Sequence, residues 1–362
     1  MTASVWNRFQ SPVVALLMGL LLSSWFTPVH GLVQAQQIDF WLIWLLCMVG
    51  LALPLTLLET ALARRSQTSP LQALPSLTRE ADAAPAWRTV GWVAVAAMAL
   101  LAGGMVAQAT QYAGTSLQAL GLTVPVLVLL PMMAVATVIL AVWPRLAMLL
   151  GCVCAFAAVE LSTFALGAGH WVWTTVSWSE WASAIILALV ASGLGLGLYW
   201  QQALQRLPTQ HASQLALPIW GAQLAGGVLF AFSQGIRGDA AQALYALAFW
   251  CGAAYLIAML RSQLQARAIP VLVQVMVVTG ALALWVLPIQ SLLMMVVGAL
   301  CLLAVLLYAL FSGWQMKISH VRKALGFEQE WMYNLWRVVM RVVLPLAVGL
   351  ALVGVIMQVF TV

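Results

Sequence analysis

Two carboxylates lie inside long apolar runs, Glu59 at the end of Gly50-Leu51-Ala52-Leu53-Pro54-Leu55-Thr56-Leu57-Leu58-Glu59 and Glu160 in Ala157-Ala158-Val159-Glu160-Leu161. An ionisable group held in hydrocarbon is costly, so each is a functional candidate by default. Glu59 precedes Arg64-Arg65. Two roles are open to it: snorkelling towards those arginines, or turning inward to accept hydrogen bonds from exposed backbone amides. Glu160 has Thr163 and Gly167 one and two turns further along the same helical face. It reads either as a proton-binding group or as a protonated acid bonded to a neighbouring helix.

Backbone chemistry is signalled by Ala191-Ser192-Gly193-Leu194-Gly195-Leu196-Gly197-Leu198-Tyr199. Three alternate glycines, each about 1 kcal/mol worse than Ala in a helix, predict a break in mid-segment. Gly19, Ser23, Ser24 and Pro28 weaken an earlier segment in the same way, with close helix packing through small residues as the other reading. A broken helix frees amides and carbonyls for a ligand. The candidate solute-binding residues are therefore Gly19, Ser23, Ser24, Ser192, Gly193, Gly195, Gly197 and Tyr199. The five cysteines, Cys47, Cys152, Cys154, Cys251 and Cys301, read as small apolar residues without the spacing of a zinc site or disulfide framework. No H-E-x-x-H, nucleophile–base pair or acid cluster is present, so an enzyme is not expected, nor a metal or other cofactor.

These groups need apolar helices to position them. Of 362 residues, 64% are hydrophobic and 7% charged, against about 25% charged in soluble domains. A bilayer core takes about 20 apolar residues of helix per crossing. Eleven segments qualify: 12–32, 40–63, 90–112, 124–143, 146–167, 181–205, 216–234, 241–262, 269–287, 291–312 and 337–358. Their continuous apolarity excludes a β-barrel, whose strands alternate. The expected class is an all-α integral membrane protein forming one domain over residues 1–362. Arg8 precedes the first run, but no small-residue cleavage site closes it, so it is read as a retained span and not a removed leader.

With the N-terminus in the cytoplasm, every one of the 15 Lys and Arg residues except Arg237 falls on the inner side, as the positive-inside bias requires. A missed or invented span would destroy that asymmetry. Localisation in the inner membrane follows, and the net charge of +6 reflects contact with anionic lipid, not nucleic acid. His170-Trp171-Val172-Trp173 and Trp178-Ser179-Glu180-Trp181 read as an interfacial aromatic belt. Of the two long inner connections, 64–89 predicts a short helix lying on the membrane and 313–336 an amphipathic linker.

Several of these segments resemble the sodium:neurotransmitter symporter family, whose bacterial members have the LeuT fold. GLALPLTLLETALARR, Gly50 to Arg65, is similar to the family's second span and runs into an inner loop with Ser69-Pro70. Ala191 to Tyr199 resembles its unwound sixth span. Phe311-Ser312-Gly313-Trp314, Trp336-Arg337 and Leu344-Pro345 resemble its tenth and eleventh. The resemblance implies two inverted five-helix repeats, about 12–167 and 181–312, plus an extra helix at about 337–358. It also implies that Glu59 is the carboxylate bracing the unwound segments.

The same resemblance exposes departures. The family's first-span Asn and Arg, which bind sodium and close the outer gate, are Leu22 and Trp25 here. The hydroxyl pair of its second sodium site is Ala254 and Tyr255, and the paired tyrosines of its third span are missing near Val106 to Gln108. A hard cation wants oxygen ligands, so conventional sodium coupling is not expected. The resulting expectation is a secondary transporter of a small organic solute, amino-acid- or amine-like, with proton coupling through Glu160 or none. The alternative is a transport-inactive scaffold or sensor with protein partners in the membrane.

Overall fold

The computed structural model describes residues 3–29, 37–166, 171–204, 212–233, 236, 238–327 and 329–361. Gly167, His170 and Arg237, used above, lie outside them. Eight helical stretches are long and apolar enough to cross a membrane, namely Phe9–Thr27, Ile38–Ser66, Pro85–Ala119, Pro144–Ser162, Ala212–Ser233, Asp239–Ala266, Gln290–Gln315 and Glu330–Met357. Three shorter apolar helices, Val126–Leu140, Trp178–Leu189 and Val271–Leu284, fall between them. Taken in chain order these are the eleven expected spans, and among the described residues there is no β-strand. The chain is an all-α, multi-pass membrane protein.

The first span, in helix Ala3–Val29, lies along the seventh, and the eighth packs against both the third and the fifth. The first contact depends on glycine. A Cβ on Gly226 would come within 2.7 Å of the Leu16 carbonyl oxygen and 2.9 Å of the Leu20 nitrogen, and one on Gly19 would lie 3.0 Å from the Gln223 carbonyl. The expected break in the first span is therefore corrected, since helix Ala3–Val29 is continuous. Gly19 is a packing glycine, the Ser24 hydroxyl donates to the Leu21 carbonyl at 2.7 Å, and Pro28 comes only at the helix end.

Other spans deviate where proline demands it. Pro54 has no N–H for the carbonyl four residues back and crowds it. The second span relieves this with a π-helical turn at Met48–Ala52, in which the Leu53 N–H reaches back to the Met48 carbonyl. That carbonyl also accepts the Trp220 indole N–H at 2.8 Å, while the Pro54 carbonyl accepts that of Trp336 at 3.0 Å. Pro345 stands in the same relation to a second π turn, Val339–Val343, in the eleventh span.

The loop 64–89 does contain a helix, Pro70–Glu80, and its apolar face is turned into the protein. Leu71, Ala73, Leu74 and Leu77 are buried, with Leu74 and Leu71 against Gly91 of the third span. The helix Ile318–Leu325 of the other connection packs against the end of the second span, Leu53–Ser66. Lys317 pairs with Asp82 at 2.7 Å, and Arg65 bonds both Glu80 and His320. The Lys317 ammonium holds the Asp82 carboxyl below the usual carboxylate range.

Gly226→Ala should therefore destabilise the protein by about 1–3 kcal/mol, the cost of overpacking a tight contact. Gly221→Ala, where an added Cβ meets nothing within 4 Å, should be neutral or stabilising by up to about 1 kcal/mol. Thermal melting in detergent compares the two.

Candidate functional site

The sixth span starts at Trp178 with a capping box, in which the Ser177 hydroxyl accepts from the Glu180 N–H and the Glu180 carboxylate accepts from the Ser177 N–H. Regular helix stops at Leu189 and resumes at Leu198–Ala203. Between them Gly193, Gly195 and Gly197 take φ values of +70°, +80° and +69°, a region that L side chains enter only with strain. Alternation of glycines makes the interruption possible. The predicted break is present at this segment.

Backbone polar groups freed in hydrocarbon must find partners inside the protein. The Gly195 N–H donates to Glu59 Oε1 at 2.8 Å. The Tyr199 and Trp200 amides, at the start of the resumed helix, also bond this carboxylate, where a helix N-terminus favours negative charge. Glu59 is thus turned inward, fully buried at 1% exposure, and does not snorkel towards Arg64 and Arg65. Glu59 Oε2 and the Tyr308 hydroxyl, buried in the same region, have no hydrogen-bond partner among the described residues.

The Ser192 carbonyl accepts from the Tyr199 hydroxyl at 2.6 Å and from Gln223 Nε2 at 3.2 Å. Ser192 Oγ lies 3.6 Å from the Met48 sulfur. Ser192, Gly193, Gly195, Gly197 and Tyr199 are therefore brought together with Glu59. Gly19 reaches this cluster only through the seventh span, by its contact with Gln223. Ser23 and Ser24 lie on the continuous first helix, with the Ser23 carbonyl taken by Thr27 Oγ1 at 2.5 Å. Glu160 is exposed on the fifth span and is not part of the buried cluster.

On the C-terminal side of the break the surroundings are amide and hydroxyl. Gln201 Nε2 donates to Ser262 Oγ at 2.6 Å, Gln202 Nε2 to Tyr255 Oη at 3.0 Å, and Gln263 Nε2 lies 3.5 Å from the Leu196 carbonyl. The side-chain oxygens of Gln10, Gln202 and Gln263 are buried without partners among the described residues. Elsewhere in the bundle, Trp25 lies over Gly104, where a Cβ would be 2.1 Å from its ring, and Trp285 lies against both Gly103 and Gly104. Beyond the two rings is a cavity of about 150 Å³ lined by Trp25, Gln108, Gln111, Trp285, Gln290 and Met294. Gln111 donates across it to Gln290 at 2.7 Å.

The glutamines and the Trp25–Trp285 pair were not picked out from sequence. A lone Gln in an apolar run is a weak signal, although Gly103-Gly104 was a visible mark of close approach. Between the two layers the core is hydrocarbon, with Met18, Leu21, Leu22, Met105 and Ala254 all buried.

No family model and no curated protein matches the sequence. Among solved structures, the crystal structure of MhsT in complex with L-phenylalanine is similar at a TM-score of 0.63, with 16% identity over 95% of this chain and 98% of that one. The chain shares that LeuT-type fold.

Glu59→Ala should leave the Gly195, Tyr199 and Trp200 amides unpaired in a buried site, at about 1–3 kcal/mol for each group that finds no new partner. Glu59→Gln, which keeps one acceptor oxygen, should cost clearly less. Melting temperatures of the two variants give the comparison, and equal losses would mean that charge, not hydrogen bonding, holds the segment.

Proposed function

We propose that this protein is a secondary transporter of a small organic solute, divergent from the sodium:neurotransmitter symporters. The solute, amino-acid- or amine-like, binds at the interrupted sixth span. The observation that carries this reading is the unwound stretch 190–197, held open in mid-membrane by Glu59. An interruption of this kind is costly in lipid and is characteristic of transporter sites, where freed backbone groups meet the ligand. The MhsT likeness supports the same reading at the level of fold.

Ser192, Gly193, Gly195, Gly197 and Tyr199 supply the binding groups, and Glu59 braces them. The repeats 12–167 and 181–312 rock against each other with 337–358 at the side, and the N-terminus faces the cytoplasm in an inner membrane. Gly19 acts in helix packing, and Ser23 and Ser24 face the path from an unbroken helix. Sodium does not drive the cycle, because Leu22, Ala254 and Tyr255 stand where the resemblance implies its ligands. A second reading, a scaffold or sensor without transport, is favoured by one specific observation, the continuous first helix with its hydrocarbon-filled surroundings.

Proteoliposome uptake across a panel of amino acids and amines separates the two. The transporter reading expects saturable uptake that is unchanged when choline replaces sodium. Gly195→Ala, strained at φ +80° and 2.7 Å from a Val305 methyl, should lower uptake by about tenfold or more, the equivalent of about 1.4 kcal/mol. Gly114→Ala, in open space, should leave it intact. Absence of uptake for every solute, in protein that melts cooperatively, would favour the scaffold.

A further inference from the structure

We propose that the groove between the fourth, eighth and ninth spans binds one anionic phospholipid, with an acyl chain along the groove and the phosphate on Arg261. Two cavities, of about 460 Å³ and 170 Å³, share Val138 and Thr279 and so form one continuous channel on the outside of the bundle. The larger is walled by hydrocarbon, with Pro131, Ala134 and Ala283 forming its shallow floor. The smaller ends at Arg261 and Gln274.

Length favours a single chain. From Val271 to Ala283 the ninth span rises about 18 Å, slightly more than half of a hydrocarbon layer of about 30 Å. An acyl chain of the leaflet that meets Arg261 spans that length.

Charge selects the headgroup. Arg261 is half-buried and, among the described residues, makes no hydrogen bond or ion pair. The sequence contains no acidic residue between Asp239 and Glu328, nor between Asp82 and Glu160. The helices forming the charged end therefore offer this guanidinium no counter-ion, and a phosphate supplies one with matching planar hydrogen-bond geometry. Gln274 does not compete for the site, because its Nε2 already donates to the Ile269 carbonyl at 2.8 Å.

The test is native mass spectrometry of the full chain in detergent, with equal amounts of dioleoyl-phosphatidylglycerol and dioleoyl-phosphatidylcholine. Phosphatidylglycerol should be retained about fivefold over phosphatidylcholine, the preference expected from one basic residue at a lipid phosphate. Arg261→Gln should bring that ratio to about one, with lipid still bound. Ala134→Phe should block the groove and remove both lipids, and Ala283→Leu serves in its place should the first not melt cooperatively. An unchanged ratio in Arg261→Gln overturns the proposal. So does lipid retention that is indifferent to both groove variants, or conversion of a dimer to a monomer by them, which would make a second copy the occupant.

Discussion

The architecture hangs on a short hydrogen bond between a carboxylate and a peptide amide in the middle of the bundle. Opening a helix in hydrocarbon leaves donors that water cannot reach, and Glu59 is the group that takes them, beginning with the Gly195 N–H. For it to do so, the second span must present Glu59 to the sixth and not to lipid. The π turn at Met48–Ala52 bears on this directly. One additional residue in a turn rotates everything beyond it by about 100°, so Pro54, which imposes the turn, also sets the face on which Glu59 emerges. Trp220 and Trp336 then donate to the Met48 and Pro54 carbonyls at the two ends of this stretch.

Much of this was legible in the residues. Continuous apolar runs and the placement of arginines gave eleven spans, and Gly193, Gly195 and Gly197 gave the interruption, because alternate glycines have few other uses inside a helix. The first span misled for a physical reason. Gly19, Ser23 and Ser24 weaken a helix in isolation, but small residues are also what two helices need to touch, and propensity cannot tell these apart without the neighbour, here Gly226. That Glu160 stands apart from the Glu59 cluster could not be read in advance, because a helical face has no absolute direction until its partners are known. The glutamines were invisible for a related reason. Gln201, Gln202 and Gln263 become a cluster only when the sixth and eighth spans are brought side by side.

The unbroken first helix gives the centre an asymmetry. One wall is irregular backbone held by a carboxylate, and the other is a regular helix presenting Met18, Leu21 and Leu22. The freed backbone groups are thereby concentrated on a single element, with aromatic rings to one side of it and amides to the other. Trp25 and Trp285 can lie so close to the third span only because Gly103 and Gly104 leave room for two indole rings. The packing of this aromatic layer thus rests on shape and dispersion, not on an ion pair.

Neutrality of that lining has an electrical consequence. Moving one elementary charge through a membrane potential of 100 mV takes about 2.3 kcal/mol, so rearrangements that carry fixed ions across the bilayer are governed by voltage. Here the surfaces on either side of the interruption are indoles, amides and phenols, and the buried Glu59 carboxylate is tied to the segment it supports. A bundle so lined can change shape while displacing almost no charge, so that the balance between any two such shapes is indifferent to whether the membrane is energised.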